Sequence, residues 1–235
     1  MKKRCLNYTV VKSLITFLLL VHFLSASTFV KAKVQLPSIL SSNMVLQQHT
    51  NVKLWGKAQK NSPITIKTSW DNKTYKTIAD KQGKWLLNIS TPVAGGPYEI
   101  TFNDGELLTL KNILIGEVWF CSGQSNMEMP MSGFDRQPTQ GTNDVIAKAK
   151  ASTPIRIYNT DSKDGKWIRQ FSKTPEEDCK GEWLENTPVN VSHTSATAYF
   201  FAQYLQEVLE VPVGIIISSL GGSKVEAWMS REAIT

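Results

Sequence analysis

The sequence ILIGEVWFCSGQSNME occupies residues 113–128 and joins an apolar run to a short polar turn. Its first nine residues, Ile113–Cys121, are nearly all apolar, which is typical of a strand buried on both faces of a parallel sheet. Val213–Ser219 has the same character. Three further elements are predicted between the two runs: helices over 143–150 and 195–210, and a strand over 155–158. Alternating strands and helices predict an α/β domain over residues 112–235.

Upstream of residue 112, apolar residues alternate with polar ones in short stretches. Five stretches show this period of two: Val52/Leu54, Ile64/Ile66/Thr68, Tyr75/Thr77/Ala79, Trp85/Leu87/Ile89 and Tyr98/Ile100/Phe102. A period of two indicates half-buried strands, so residues 33–111 are predicted to form a β-sandwich-like domain. The polar segment Asp161–Pro188 has no period and is predicted to be a long surface loop.

The first 32 residues have the pattern of a secretory signal peptide. Met1–Arg4 is basic, Leu14–Leu24 is apolar, and small residues follow at Ser25–Ser27 and Val30–Ala32. A membrane span needs roughly 20 apolar residues, so this apolar stretch is too short to be an anchor. We therefore predict cleavage after Ala32, or alternatively after Ser27, and export to a periplasmic, extracellular or lumenal compartment.

The charge of the chain gives no sign of a nucleic-acid partner. It contains 26 basic and 20 acidic residues, for a formal net charge of +6. Five of the basic residues lie in the leader, which has no acidic residue, so the mature part is almost neutral. No basic stripe remains, and nucleic acid is not predicted as a partner. No segment beyond the leader is long enough to span a membrane, and nothing in the sequence specifies an oligomeric state.

Cysteine and histidine are too sparse for a metal centre. Cys5 lies in the leader, which leaves Cys121 and Cys179, and neither has a second Cys or His at metal spacing. We therefore predict no metal site and no cofactor. Cys121 is expected to be a buried free thiol, although one disulfide would be compatible with export.

Two features that could support chemistry follow the apolar strands. Ser125 comes just after the first strand, where Gly123 permits a sharp turn and leaves the Ser125 N–H free for an oxyanion. An ordinary helix N-cap fits the spacing of Ser125 equally well. Gly221 and Gly222 follow the second strand and could form an oxyanion hole. Because carboxyl ends of parallel strands share one edge, we expect the Ser125 hydroxyl to face the glycine pair.

Several separated blocks resemble one known family. They are Asn43–Gln47, Gly95–Tyr98, Gly116–Trp119, Gly123–Met127 and Gly221–Trp228. In this order they are similar to the sialic acid-specific 9-O-acetylesterase (sialate O-acetylesterase) family, a branch of the SGNH hydrolases, from about Leu36 to the last residue.

The resemblance implies a flavodoxin-like, three-layer α/β esterase domain preceded by β-structure. It also implies removal of O-acetyl groups from sugars without a metal, so the expected partner is an O-acetylated sugar or glycan. By motif position, Ser125 matches the nucleophile and Gly222 or Gly221 the oxyanion-hole glycine. Gln124, Asn126 and Glu226 are expected beside the site as substrate-binding or supporting residues.

The chain departs from the family pattern at the general base, which the family takes from an Asp-x-x-His segment. The histidines are His22, His49 and His193, and none follows an aspartate by three positions. His193 is expected to cap a helix or to lie exposed. We therefore predict the amino-terminal part of a longer esterase, with low activity and with its base beyond Thr235. Its sheet is expected to end in an uncovered apolar edge after Val213–Ser219.

A second hypothesis is a secreted, non-catalytic carbohydrate-binding module. In this case the β-rich half would bind glycan through an exposed Trp55, Trp70 or Trp85. Trp85 alternates with Leu87 and Ile89, which favours a core position for it. No residue pattern specifies which acetylated sugar either kind of protein would recognise.

Overall fold

The computed structural model of the chain describes residues 33–160, 162–163, 166–167 and 176–234. The predicted signal peptide, residues 1–32, lies outside the described residues, as does most of the segment 161–175. The part predicted to be β-rich contains these strands: β1 Val45–Gln47, β2 Asn51–Lys57, β3 Pro63–Thr68, β4 Thr74–Ile78, β5 Lys84–Ser90 and β6 Gly95–Asn103. The five strands predicted from alternation are confirmed as β2–β6. Strand β1 was missed because three residues are too few to show a period.

Strand β7, Leu107–Gly123, is 17 residues long and connects the two predicted domains. Its amino half pairs with β6 in antiparallel fashion. β1 also joins it in parallel, with Val45 opposite Leu114. Its carboxyl half, from Glu117 to Gly123, pairs in parallel with a later strand, β12 Val213–Ser219. The boundary predicted between residues 111 and 112 therefore falls inside a continuous strand.

The remaining strands are β8 Ile155–Asn159, β9 Ser162–Lys163, β10 Lys166–Trp167, β11 Trp183–Glu185 and β12 Val213–Ser219. The main sheet has the order β11-β8-β12-β7-β6-β3-β4, while β2 pairs with β5 and β9 with β10. The pairs β8–β12, β12–β7 and β7–β1 are parallel and the other pairs of this sheet are antiparallel, so the sheet is mixed. β11 lies in the segment predicted as a loop, and it adds an antiparallel strand to β8.

The predicted apolar edge at Val213–Ser219 is wrong. β12 lies inside the sheet, hydrogen-bonded to β7 on one side and to β8 on the other. The uncovered edge belongs to β7, because no strand in the described part of the chain pairs with the other side of residues 117–123. Trp119 and Phe120 on this edge are 44% and 65% exposed.

The helices are α1 Ser125–Glu128, α2 Thr142–Lys148, α3 Pro188–Ser192, α4 Ala196–Leu209 and α5 Arg231–Ile234, with a 3₁₀ helix at Val225–Trp228. The helix predicted over 195–210 is confirmed as α4, where the Ser195 hydroxyl accepts a hydrogen bond from Ala198 N–H. The helix predicted over 143–150 is α2, which begins one residue earlier, with Gly141 as its N-cap and Thr142 buried in its first turn. No helix among the described residues is long and apolar enough to cross a membrane.

Helices α2, α3 and α4 contribute to a hydrophobic core that covers one face of the parallel strands. The strand residues of this core are Cys121, Ile155, Ile157, Val213, Ile215 and Ile217. On the opposite face, Val118, Tyr158 and Ile216 pack against the core of the β-rich half. The parallel strands are therefore covered on both faces, which explains why their sequences are apolar without alternation.

Candidate active site

The candidate site lies where β7 and β12 end side by side. In the parallel register, Ser122 is opposite Ser218 and Gly123 is opposite Ser219. One residue later, Leu220 N–H donates a hydrogen bond to the Gly123 carbonyl at 3.0 Å. The two loops that follow therefore leave the sheet at the same edge, as expected for carboxyl ends of parallel strands.

Ser125 is exposed at this edge as the first residue of α1. Gly123 has a φ of 153°, a conformation that side chains rarely adopt, and it turns the chain from the strand into the helix. The N-cap position belongs to Gln124, so Ser125 is not the helix cap that the spacing also allowed. The Ser125 hydroxyl donates a hydrogen bond to Gln124 Oε1 at 3.3 Å.

The two glycines of the predicted oxyanion hole differ in their surroundings. A Cβ on Gly221 would lie 3.8 Å from Ser125 Cα and would collide with Glu128 Oε2, so a side chain here would displace the Glu128 carboxylate. Gly222 has a φ of 74°, and a Cβ there would meet nothing within 4 Å. The serine loop and the glycine pair are thus brought together, with Gly221 packed against α1 and Gly222 open to the outside.

Glu128 is a residue of this site that the sequence reasoning missed. Gly221 N–H donates a hydrogen bond to Glu128 Oε2 at 2.6 Å, a short bond of the charge-assisted type. The Gly221 N–H is therefore engaged, whereas Gly222 N–H has no hydrogen-bond partner among the described residues. The signal that could have identified Glu128 is its i, i+3 spacing from Ser125, which puts both side chains on one face of a helical turn.

Of the other predicted site residues, Gln124 accepts the hydrogen bond from the Ser125 hydroxyl, and Gln124 and Asn126 both tie the serine loop to neighbouring elements. Gln124 Nε2 donates to the Ser223 carbonyl at 3.3 Å and so joins the two loops. The Asn126 carbonyl accepts a hydrogen bond from Thr197 Oγ1 at 3.0 Å, which ties α1 to α4. Glu226 is exposed in the 3₁₀ helix, and its side chain makes no hydrogen bond within the described ranges.

No histidine in the described part of the chain is hydrogen-bonded to Ser125. His49 is exposed in the turn between β1 and β2, with a φ of 49°. His193 is the C-cap residue of α3 and is also exposed. Its capping position agrees with the structural role expected from the sequence.

Cys121 and Cys179 are both free thiols, which confirms the expectation for Cys121. Burial raises the pKa of Cys121, which keeps it protonated and makes it a poor nucleophile at neutral pH. Among the residues that the structure describes, no group of three or more His, Cys, Asp or Glu side chains could hold a metal ion.

The chain is similar in sequence to curated sialate O-acetylesterases of several mammals. The chain is 26% identical to the sialate O-acetylesterase of Mus musculus over 212 residues, 27% to that of Rattus norvegicus over 217, and 25% to that of Homo sapiens over 212. Each match covers 84% of the chain but only 38–39% of the relative's length. No protein-family model matches the chain.

A similar solved structure is that of a carbohydrate acetylesterase from Xanthomonas citri. It matches with a TM-score of 0.76 and 31% sequence identity, and the match covers 86% of this chain and 44% of the other. The predicted resemblance to the sialate O-acetylesterases is therefore confirmed, and the mixed sheet is similar to that of a carbohydrate acetylesterase.

Proposed function

We propose that the chain carries the nucleophile and the oxyanion hole of an exported carbohydrate O-acetylesterase. The observation that carries this proposal is the approach of Ser125 and the Gly221–Gly222 turn at neighbouring strand ends, with Ser125 Cα 3.8 Å from a Cβ built on Gly221. The names of the relatives support a carboxylic ester hydrolase acting on acetylated sugars. The predicted signal peptide supports export.

In the proposed reaction, Ser125 Oγ attacks the carbonyl carbon of an acetyl group on a sugar. Its proton passes to a general base, and the carbonyl oxygen becomes negatively charged. We assign the oxyanion donors as the backbone N–H groups of Ser125 and Gly222, because Gly221 N–H is bonded to Glu128. The bond between the carbonyl carbon and the sugar oxygen then breaks, the base gives its proton to that oxygen, and water hydrolyses the acetyl-enzyme to acetate and free Ser125. One oxyanion donor contributes ~10²–10³ in rate.

The general base is proposed to lie outside this sequence, in an Asp-x-x-His segment of a longer chain. Two observations support this proposal: no described histidine is bonded to Ser125, and the curated relatives are more than twice as long as the chain. The open side of β7 is where a further strand of an SGNH-type, flavodoxin-like domain would pair. Removal of a triad member typically lowers the rate by ~10⁴–10⁶, so the chain alone should be a weak esterase.

Hydrolysis of an aryl acetate tests this function. We expect a slow rate that Ser125→Ala abolishes and that Ser122→Ala leaves unchanged, since Ser122 is an exposed serine at the end of β7, three residues before Ser125. A rate that Ser125→Ala does not alter would contradict the assignment of the nucleophile. Serine-dependent turnover at ordinary enzyme rates, ~1–10³ s⁻¹, would instead contradict a base outside the chain. Export predicts a mature amino terminus at Lys33 or Thr28, which sequencing of exported protein would check.

A further inference from the structure

A cleft distinct from the candidate active site lies mainly in the β-rich half of the molecule. Its described lining comes from residues 35–37, 55–57, 80, 84–86 and 177–178, and none of the candidate catalytic residues belongs to it. The cavity volume is about 550 Å³. This falls within the range of roughly 300–1,000 Å³ that is typical of small-molecule binding sites.

Two apolar side chains that line the cleft lie outside the hydrophobic core. Trp55 on β2 lies directly opposite Leu86 on β5, and these side chains are 38% and 58% exposed. Their strand neighbours Leu54 and Trp85 are buried on the opposite face of the same two strands. Single exposed apolar residues are common, but here an aromatic and an aliphatic side chain are paired inside a concavity.

Gly56 lines the cleft and allows a close approach of two backbone segments beside it. A Cβ at this position would collide with the Gln35 carbonyl oxygen and would lie 3.1 Å from Trp85 Cζ2. Because Gly56 has no side chain, Gln35 can exchange two backbone hydrogen bonds of 2.8 Å with Lys57. These bonds hold together Gln35 and Lys57, which both line the cleft, so the cleft is formed before any ligand arrives.

The rim is polar, and its cations are paired. Glu177 accepts hydrogen bonds from Lys57 Nζ at 2.5 Å and from Lys84 Nζ at 2.8 Å. Asp178 accepts bonds from the Ser38 N–H and hydroxyl. Asp80 accepts from two backbone N–H groups of its own turn. Since three carboxylates face two ammonium groups, the rim offers an anionic ligand no unpaired positive charge.

We propose that this cleft binds a neutral oligosaccharide. The Trp55 ring packs on the apolar face of one sugar beside Leu86, while the sugar hydroxyls exchange hydrogen bonds with Lys57, Lys84 and Glu177. The site holds sugar rings rather than acetyl groups, because no candidate nucleophile lines it. This proposal rests on the proposed function in one respect: the oligosaccharide is taken to be part of the glycan whose acetyl groups the candidate active site removes.

Calorimetric titration of the full chain with acetyl-free probes tests this inference. The probes are xylohexaose, cellohexaose and mannohexaose, with an α2,8-linked oligosialic acid as an anionic comparison. We expect at least one neutral probe to bind, with affinity lowered about tenfold or more by Trp55→Ala and largely kept in Trp55→Phe. Ile78→Ala removes an exposed apolar side chain of β4 outside the cleft and should not change binding.

Two further variants keep the test decisive. If Trp55→Ala unfolds, as judged by its thermal transition, Leu86→Ser at the solvent-facing position opposite should weaken binding in its place. Ser125→Ala should bind the acetyl-free probes like the unaltered chain, so failure of the esterase assignment would leave this site standing. The inference is overturned if no neutral probe binds, if only oligosialic acid binds, or if neither cleft variant weakens binding.

Discussion

The two halves of β7 have similar apolar sequences but different surroundings. In the amino half, β6 pairs on one side and β1 on the other, and Ile113 and Ile115 are fully buried in the core of the β-rich half. In the carboxyl half, β12 pairs on one side only, and Trp119 and Phe120 are exposed. Burial of an apolar strand thus depends on its neighbours, which its own residues do not specify.

The exposed half of β7 lies beside an equally exposed stripe of α4. The Trp119 ring meets the Phe201 ring edge-on at a centroid distance of 5.1 Å, and Tyr204 lies one turn further along the helix, also exposed. Contiguous exposed apolar surface commonly marks an interface. The catalytic edge of the sheet is therefore built on the half of β7 that has the least cover in the described part of the chain.

The largest expected difference between the two halves of β7 is in the free energy of unfolding that is lost when one side chain is shortened to alanine. Ile115→Ala opens a cavity at a fully buried site and is expected to lower the free energy of unfolding by about 2–5 kcal/mol. Phe120→Ala removes an exposed ring and should change it by less than about 1 kcal/mol. Urea unfolding of the two variants measures both values. Equal losses would show that the carboxyl half is covered in solution.

A charge added to the carboxyl half of β7 should reduce self-association of the chain, whereas a charge added to the amino half should not. An open apolar strand edge favours pairing with another chain, and a lysine on it opposes such pairing. Phe120→Lys is therefore expected to reduce association of the chain in light scattering while leaving its circular dichroism unchanged. The matched control is Leu107→Lys, an exposed position in the amino half of β7, which should leave association as it is. A similar fall in both variants would mean that net charge, not the edge, controls association.

The sequence predicts the individual strands well because alternation and turn residues are local properties. Strands β2–β6 follow from their period of two, and the place of Ser125 after β7 follows from Gly123. The order of the parallel strands does not follow, since nothing local indicates that β12 enters between β7 and β8. The bond from Gly221 N–H to Glu128 joins residues 93 positions apart, so only the folded chain reveals which glycine stays open.

The smallest expected effect concerns the rim of the cleft lined by Trp55, which should respond to acid. Hydrogen bonds from Lys57 and Lys84 lower the pKa of Glu177 from 4.5 to about 2. Because the folded pKa lies below the unfolded one, the stabilisation is complete above pH 4.5 and is lost as the pH falls towards about 2. The group is exposed, so salt near 1 M should remove most of the effect.

Thermal unfolding from pH 6 to pH 2 at low salt should show a steeper loss of stability for the unaltered chain than for Glu177→Gln, with the two converging in acid. Glu176→Gln is the control, because Glu176 forms no ion pair within the described residues. Identical pH profiles for the unaltered chain and Glu177→Gln would show that the two lysines do not hold Glu177 in solution.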